Sequence, residues 1–319
     1  MAIKSYQRVL LLLLLALLLT CLLSPWAAAF WNLVLDFRPD WELPDYPFSR
    51  IFDRVFMVVG VILFSTFLRR LGISSPKQLG LTPLRQGYTD LLLGFFLALA
   101  SMIALVLAMT AVDIFMPQVR YSFSRTLQIF LSALLSAIAV GVLEEIFFRG
   151  IIFQGLVEDW RPGGAILATS LFYSVVHFVS PAEKIPLSGL QPLAGVRHLI
   201  YAFRVFLDPA PLLPGICGLF LIGFVLCYAY LRSGSLYLSI GLHAGWVFGL
   251  KSTRIFGDYS REALGWLFGS SDPGIVSGVA GWTGILTVGV VVHWMTRKRQ
   301  GWCPAYRSIK QESGSPAKD

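Results

Sequence analysis

The sequence predicts an all-α protein, a polytopic membrane helix bundle of about eight transmembrane helices. Of its 319 residues 56% are hydrophobic and only 14% are charged, whereas a soluble domain carries about 25% charged residues. The mean hydropathy is +0.69. The apolar residues also gather in long runs separated by Gly, Pro and basic clusters, as membrane spans and their loops do. The net charge of +8 collects at the ends of these runs, where orientation signals and contact with the lipid bilayer account for it, and nothing calls for a nucleic acid.

Lys4 and Arg8 precede an apolar run from Val9 to about Phe30, long enough to cross roughly 30 Å of hydrocarbon at 1.5 Å per residue. A basic start and Ala27-Ala28-Ala29 also fit a cleavable signal peptide, but the run exceeds a typical signal core and favours an uncleaved first helix. The Trp-, Asp- and Pro-rich stretch to Arg50 reads as an external loop. A second span, about Ile51 to Leu68, leads into Arg69, Arg70, Lys77 and Arg85, a cytoplasmic loop by the positive-inside rule. The third runs from Tyr88 to Val112. The fourth, within the apolar stretch Leu127 to Leu156, ends at a polar turn around Arg161 and Pro162.

A fifth span starts near Ala165 and contains His177. The connection that follows, to about Pro214, is too long for an ordinary loop; its stretch Val196 to Arg204 reads as an interfacial helix with His198 facing headgroups. The sixth span covers Gly215 to Leu231, and a tight turn leads to a seventh that carries His243. Lys251 to Pro273 is a polar loop. The eighth, Gly274 to Met295, has His293 snorkelling at its end, and Arg297 begins a basic tail. Three segments result: 1–87, a two-helix unit with its cytoplasmic loop; 88–250, a membrane core with an interfacial insertion near 181–213; and 251–319, a loop, the last helix and the tail. Both termini are expected in the cytoplasm. Cys21, Cys217, Cys227 and Cys303 form no CxxC pair and read as small core residues; Cys303, beside a basic cluster, is the one position with a palmitoylation alternative.

The informative stretch is Gly141 to Gly150, which sets Glu144, Glu145 and Arg149 in an apolar run. Ionisable groups in a membrane span are costly, and such a cluster marks a functional site or a solvated helix end. Residues four apart share a helix face, so Glu145 and Arg149 should pair, while Glu144 lies about 100° around the helix. That points to Glu144 as the carboxylate for chemistry. His177 and His243 fall in predicted spans of their own and join the glutamate as candidates, at helix depths of roughly 20 Å for Glu144 and His177 and roughly 12 Å for His243. The sequence holds no HExxH, no GxSxG and no second aspartate motif to match Gly257-Asp258-Tyr259, which leaves a carboxylate base to activate water. No internal repeat is visible, which weakens a transporter reading.

These residues carry a resemblance. Glu144-Glu145-Ile146-Phe147-Phe148-Arg149-Gly150, the aromatic Tyr173 four residues before His177, and Leu242-His243-Ala244 after Ser235-Leu236-Tyr237 resemble the motifs of the CPBP family (CAAX proteases and bacteriocin-processing enzymes, also called ABI). Its best-known members are the type II CAAX prenyl endopeptidases. The resemblance covers roughly Tyr88 to Leu250. It implies an intramembrane glutamic-type endopeptidase acting near the C-terminus of, or within, a membrane-anchored or hydrophobic peptide or protein. Glu144, His177 and His243 would be catalytic and Glu145, Arg149 and Tyr173 supporting, with no cofactor. The alternatives are a zinc-dependent version on the same residues and a non-catalytic immunity or scaffold protein of the same fold. The family commonly has Asn four residues after the last histidine, a group thought to help hold the oxyanion, and here that position is Val247; Tyr173 stands where Phe is usual.

Overall fold

The structure is a computed structural model and describes residues 4–37, 46–71, 73–118, 120–179, 189–259, 264–269, 274–299 and 302–307. In chain order the helices are α1 (Ser5–Phe37), α2 (Phe48–Phe67), α3 (Leu84–Ala111), α4 (Phe123–Glu145), a π-helix (Ile146–Phe153), α5 (Gln154–Asp159), α6 (Pro162–Val176), α7 (Ala194–Phe203), α8 (Leu213–Ser233), α9 (Tyr237–Phe256), α10 (Gly265–Phe268) and α11 (Val279–Thr296). Two short strands, β1 (Phe115–Pro117) and β2 (Gly257–Tyr259), pair antiparallel with Met116 opposite Asp258. The chain divides into two units, Met1–Ile73 with Val176–Ala210, and Ser74–Val175 with Pro211–Asp319.

Among the described residues six helical runs are long and apolar enough to cross a membrane: Ser5–Phe37, Phe48–Leu71, Pro76–Ala111, Phe123–Asp159, Leu213–Ser233 and Val279–Thr296. This is an integral, multi-pass helical membrane protein. Two of the eight expected spans do not meet the criterion. The fifth is α6, whose 15 residues cover only about 22 Å at 1.5 Å per residue. The seventh is α9, which has the length, at 20 residues, but not the apolar composition. It does not need it: α9 buries Leu238, Leu242, His243, Trp246 and Phe248 in protein rather than lipid.

The first unit is built on α1 and α2, with α7 laid on α1. The contact with α1 is close because Gly195 has no side chain; a Cβ there would stand 2.1 Å from the Cys21 carbonyl oxygen. His198 corrects an expectation. It does not face headgroups but is buried at 3% exposure, its ring 4.4 Å from that of Phe52 and 5.5 Å from that of Phe48. The reason is the spacing of Ala194, His198 and Ala202, all buried, which puts His198 on the small-residue stripe that packs inward.

The second unit is organised by α9. Gly241, Gly245 and Gly249 recur every four residues along one face, and Cβ atoms there would stand 2.1 Å from the Leu91 carbonyl, 2.4 Å from the Phe95 carbonyl and 2.7 Å from the Met102 side chain. Gly94 answers from α3, where a Cβ would lie 2.5 Å from the Leu238 carbonyl. In a membrane there is little hydrophobic drive between helices, so small residues that let backbones touch supply the packing. The β1–β2 pair joins the α3–α4 connection to the end of α9, which runs to Phe256 rather than giving way to a loop at Lys251. Arg120 and Asp258 form an ion pair beside it.

At the other end of this unit, Phe153, Val157, Ile166, Cys227, Tyr230, Leu236 and Cys303 make one buried cluster. Gly80 adopts φ +85°, and a Cβ there would stand 2.6 Å from the ring of Tyr230; glycine is the residue that meets both demands. Gln154 ties the end together: its Nε2 donates to the carbonyls of Gln78 at 2.7 Å and Gly150 at 2.8 Å, and its Oε1 accepts the Ala305 amide at 3.2 Å.

Candidate active site

The site begins with a change of helix type. Glu144 and Glu145 are the last two residues of α4, and the next eight, Ile146–Phe153, form a π-helix. A π-helix shifts the hydrogen bonding from i→i+4 to i→i+5, and such turns are frequent at functional sites. Across this junction Arg149 Nη1 donates to Glu145 Oε1 at 2.7 Å, and both side chains are fully buried. The second guanidinium nitrogen, Nη2, donates to the Gly223 carbonyl of α8 at 3.3 Å. The guanidinium also lies 4.7 Å from the ring centroid of Tyr173 and 5.7 Å from that of Phe148, a cation–π placement favoured in a dry interior.

Two glycines bring the helices close enough for this. Gly141 lies one turn before Glu145 on the same face of α4, and a Cβ there would stand 3.3 Å from the Ile240 carbonyl and Ala244. Gly223 lets α6 approach α8, with the Tyr173 ring 3.3 Å and the Ser170 Cα 3.0 Å from its missing Cβ. Close approach at Gly141 carries His243, the neighbour of Ala244, onto the acidic pair.

His243 spans both carboxylates. Its Nδ1 lies 2.8 Å from Glu145 Oε1, and its Nε2 lies 3.7 Å from Glu144 Oε2. A carboxylate oxygen that takes a guanidinium hydrogen can only accept from the imidazole as well, so Nδ1 carries the proton and donates. That fixes the ring and turns Nε2 toward Glu144. The Nε2–Glu144 separation exceeds a hydrogen bond, and Oε2, the carboxylate oxygen that faces the ring, is itself buried, so the exposed part of the Glu144 side chain lies away from this contact. The two glutamates differ in access: the side chain of Glu145 is fully buried, whereas that of Glu144 is 30% exposed. The Tyr173 ring, 2% exposed, stands edge-on to His243 with centroids 6.1 Å apart.

Within the second unit the structure therefore gathers Glu144, Glu145, Arg149, Tyr173 and His243. His177 belongs to the first unit and is exposed on the turn after Val176, where α6 ends. It does not lie inside a span as its sequence position implies, because the helix is only 15 residues long. His293, on the exposed side of α11, pairs its Nδ1 with the Tyr228 hydroxyl at 2.7 Å. The π-helix, Gly141 and Gly223 were not foreseen; a glycine one turn before a buried acid is the signal that could have drawn attention to the first of these positions.

A zinc site was one alternative. Among the described residues no group of three or more His, Cys, Asp and Glu side chains could hold a metal ion. Within this unit Nδ1 of His243 is taken by Glu145, leaving His243 Nε2 and Glu144 Oε2, short of the three protein ligands that a catalytic zinc takes.

The family model for the type II CAAX prenyl endopeptidase Rce1-like proteins matches residues 126–249, from α4 to α9. This segment belongs to the CPBP, or CAAX protease, family. The match takes in all six residues singled out above, and over this segment the chain is similar to intramembrane proteases of the CAAX type. The CPBP segment holds the acidic pair on α4, and the α3 helix that cradles α9 lies outside it. Neither the curated proteins nor the solved structures give a match to the chain.

Proposed function

We propose that this protein is a glutamic-type intramembrane endopeptidase that hydrolyses a peptide bond near the C-terminus of, or within, a membrane-anchored or hydrophobic protein. The observation that carries the reading is His243, held by a buried glutamate through one ring nitrogen and turned through the other toward an accessible glutamate 3.7 Å away. In this reading a water enters beside the pair and donates hydrogen bonds to two acceptors, the Glu144 carboxylate and His243 Nε2. Glu144 removes a proton as the water oxygen attacks the peptide carbonyl carbon, and returns it to the amine as the C–N bond breaks. Glu145 and Arg149 touch no substrate; they hold the imidazole in one tautomer and one orientation. His177 enters through the family resemblance alone, as the second imidazole and a donor to the oxyanion.

The test uses the full-length protein in lipid nanodiscs with membrane peptides bearing prenylated and unmodified C-termini, cleavage being read by mass spectrometry. Glu144→Gln keeps the volume and removes the base, and cleavage should fall about 10²-fold or more while the thermal transition stays in place. Undiminished turnover would overturn the assignment.

A non-catalytic protein of the same fold is the second reading, and Val247 favours it. Where the family commonly places Asn, Val247 packs with Ala133, Ala137 and Phe248, and its aliphatic side chain offers an oxyanion no donor. Binding of candidate peptides without cleavage, and biological activity that survives Glu144→Gln, would select it.

A further inference from the structure

The first unit holds a groove of about 710 Å³ between α1 and α2 that catalysis does not call on. Its volume is that of a small-molecule or cofactor site, which commonly occupies roughly 300–1,000 Å³. Its two ends differ in chemistry. One is lined by Trp31, Tyr46, Arg50 and Arg54, the other by Leu23, Val55, Val58 and Ile62, and no acidic residue stands among the described residues of the lining. We propose that this groove binds one anionic phospholipid, with the phosphate between Arg50 and Arg54 and an acyl chain along the apolar floor toward Ile62.

Three features of the molecule support that occupant. The arginines are four residues apart and so share a helix face, and they stand at the start of α2, whose N-cap, Pro47, makes no side-chain cap; helix start and guanidinium groups thus favour the same sign of ligand charge. The span from Arg50 to Ile62 is roughly 18 Å along the helix at 1.5 Å per residue, close to the depth of one leaflet of a core about 30 Å thick. A headgroup at the arginines then leaves the chain end near the midplane. The aromatic residues are set as an interfacial belt would be: the rings of Trp31 and Tyr46 stack at 5.4 Å, and Arg50 lies 5.2 Å from the Tyr46 ring centroid.

The charge pattern of α2 points the same way, whichever way the helix is inserted. Arg50 and Arg54 are at one end, and Arg69 and Arg70 follow the other. One pair must therefore face the side from which basic residues are depleted. Lipid recognition gives the groove pair a reason to be there that orientation does not supply.

Native mass spectrometry of the full-length protein, delipidated and then exposed to phosphatidylglycerol or phosphatidylcholine of equal chain length, tests this. One phosphatidylglycerol should be retained with a preference of roughly tenfold or more over phosphatidylcholine, as two basic contacts imply. Arg50→Ala with Arg54→Ala should remove the preference, whereas Arg69→Ala with Arg70→Ala should keep it. Val58→Trp, which fills the floor without touching the arginines, should lower retention of both lipids. Equal retention of the two lipids by the unaltered protein overturns the proposal, as does a preference that survives loss of both groove arginines. The first comparison needs no variant and stands even if a substitution impairs folding. Cleavage plays no part in the readout, so failure of the catalytic reading leaves this result unaffected.

Discussion

Glu145 Oε1 accepts two hydrogen bonds at once, from Arg149 Nη1 at 2.7 Å and from His243 Nδ1 at 2.8 Å. That single oxygen joins the α4 end to the π-helix and to α9. It divides labour between two adjacent acids, since the buried one is spent on structure and the accessible one is left beside the other imidazole nitrogen.

Removing the charge of Glu145 should therefore cost stability, in contrast to Glu144. Glu145→Gln strands a fully buried guanidinium, and breaking such a pair by removing one member typically costs about 3–5 kcal/mol. Thermal unfolding in detergent should show a large drop for Glu145→Gln and little change for Glu144→Gln. Equal melting of the two would deny Glu145 its structural role.

The α3–α9 contact gives a second outcome. Gly241→Val forces a side chain to a position 2.1 Å from the Leu91 carbonyl, and backbone cannot yield as a flexible side chain can. The variant should be poorly folded, seen as loss of a monodisperse peak in size-exclusion chromatography. Gly60→Ala has open space around the new Cβ and should be neutral or stabilising by about 0.5–1 kcal/mol, since Ala is the better helix former.

His198 predicts a pH dependence. Burial among Phe48 and Phe52 lowers its pKa from the usual value of 6.5, so the unfolded state binds a proton more readily than the folded state. Stability contributed by the neutral ring is present above the unfolded value and falls as the pH drops through 6.5 toward the lower folded pKa. The melting temperature should decline between neutral and mildly acid pH, and His198→Phe should flatten that decline. An unchanged profile in the variant would assign the dependence to other groups.

Cys303 should be inert. It is fully buried, its amide donates to the Leu231 carbonyl at 3.1 Å, and burial pushes its thiol up to about 12, where the reactive thiolate is scarce at neutral pH. Maleimide labelling followed by peptide mapping should find it unmodified in the folded protein and modified after denaturation. Rapid labelling of the native protein, or a palmitoyl group on Cys303, would contradict its burial.

The residues that sequence could name were those whose chemistry is local. The Glu145–Arg149 pair follows from a four-residue spacing, and the hydrophobic runs follow from what lipid demands of any span, so the helical membrane class and the acidic stretch were legible. The number of spans was less so. A helix in lipid and a helix buried in protein both read as apolar runs, and α9 is of the second kind, recognisable afterwards by Gly241, Gly245 and Gly249. The end of α6 at Val176 and the inward face of His198 were not legible either. Both depend on where neighbouring helices leave room.

By itself the sequence determined that the chain is a membrane helix bundle and that it carries two carboxylates and a guanidinium in an apolar run where ionisable groups are costly, because burial cost and helical periodicity act over a few residues. Only the tertiary structure decided that His243 lies across both glutamates and that Glu145 is sealed while Glu144 is accessible. Those relations join residues about a hundred positions apart, and they are set by glycine-allowed helix contacts that periodicity along one helix cannot encode.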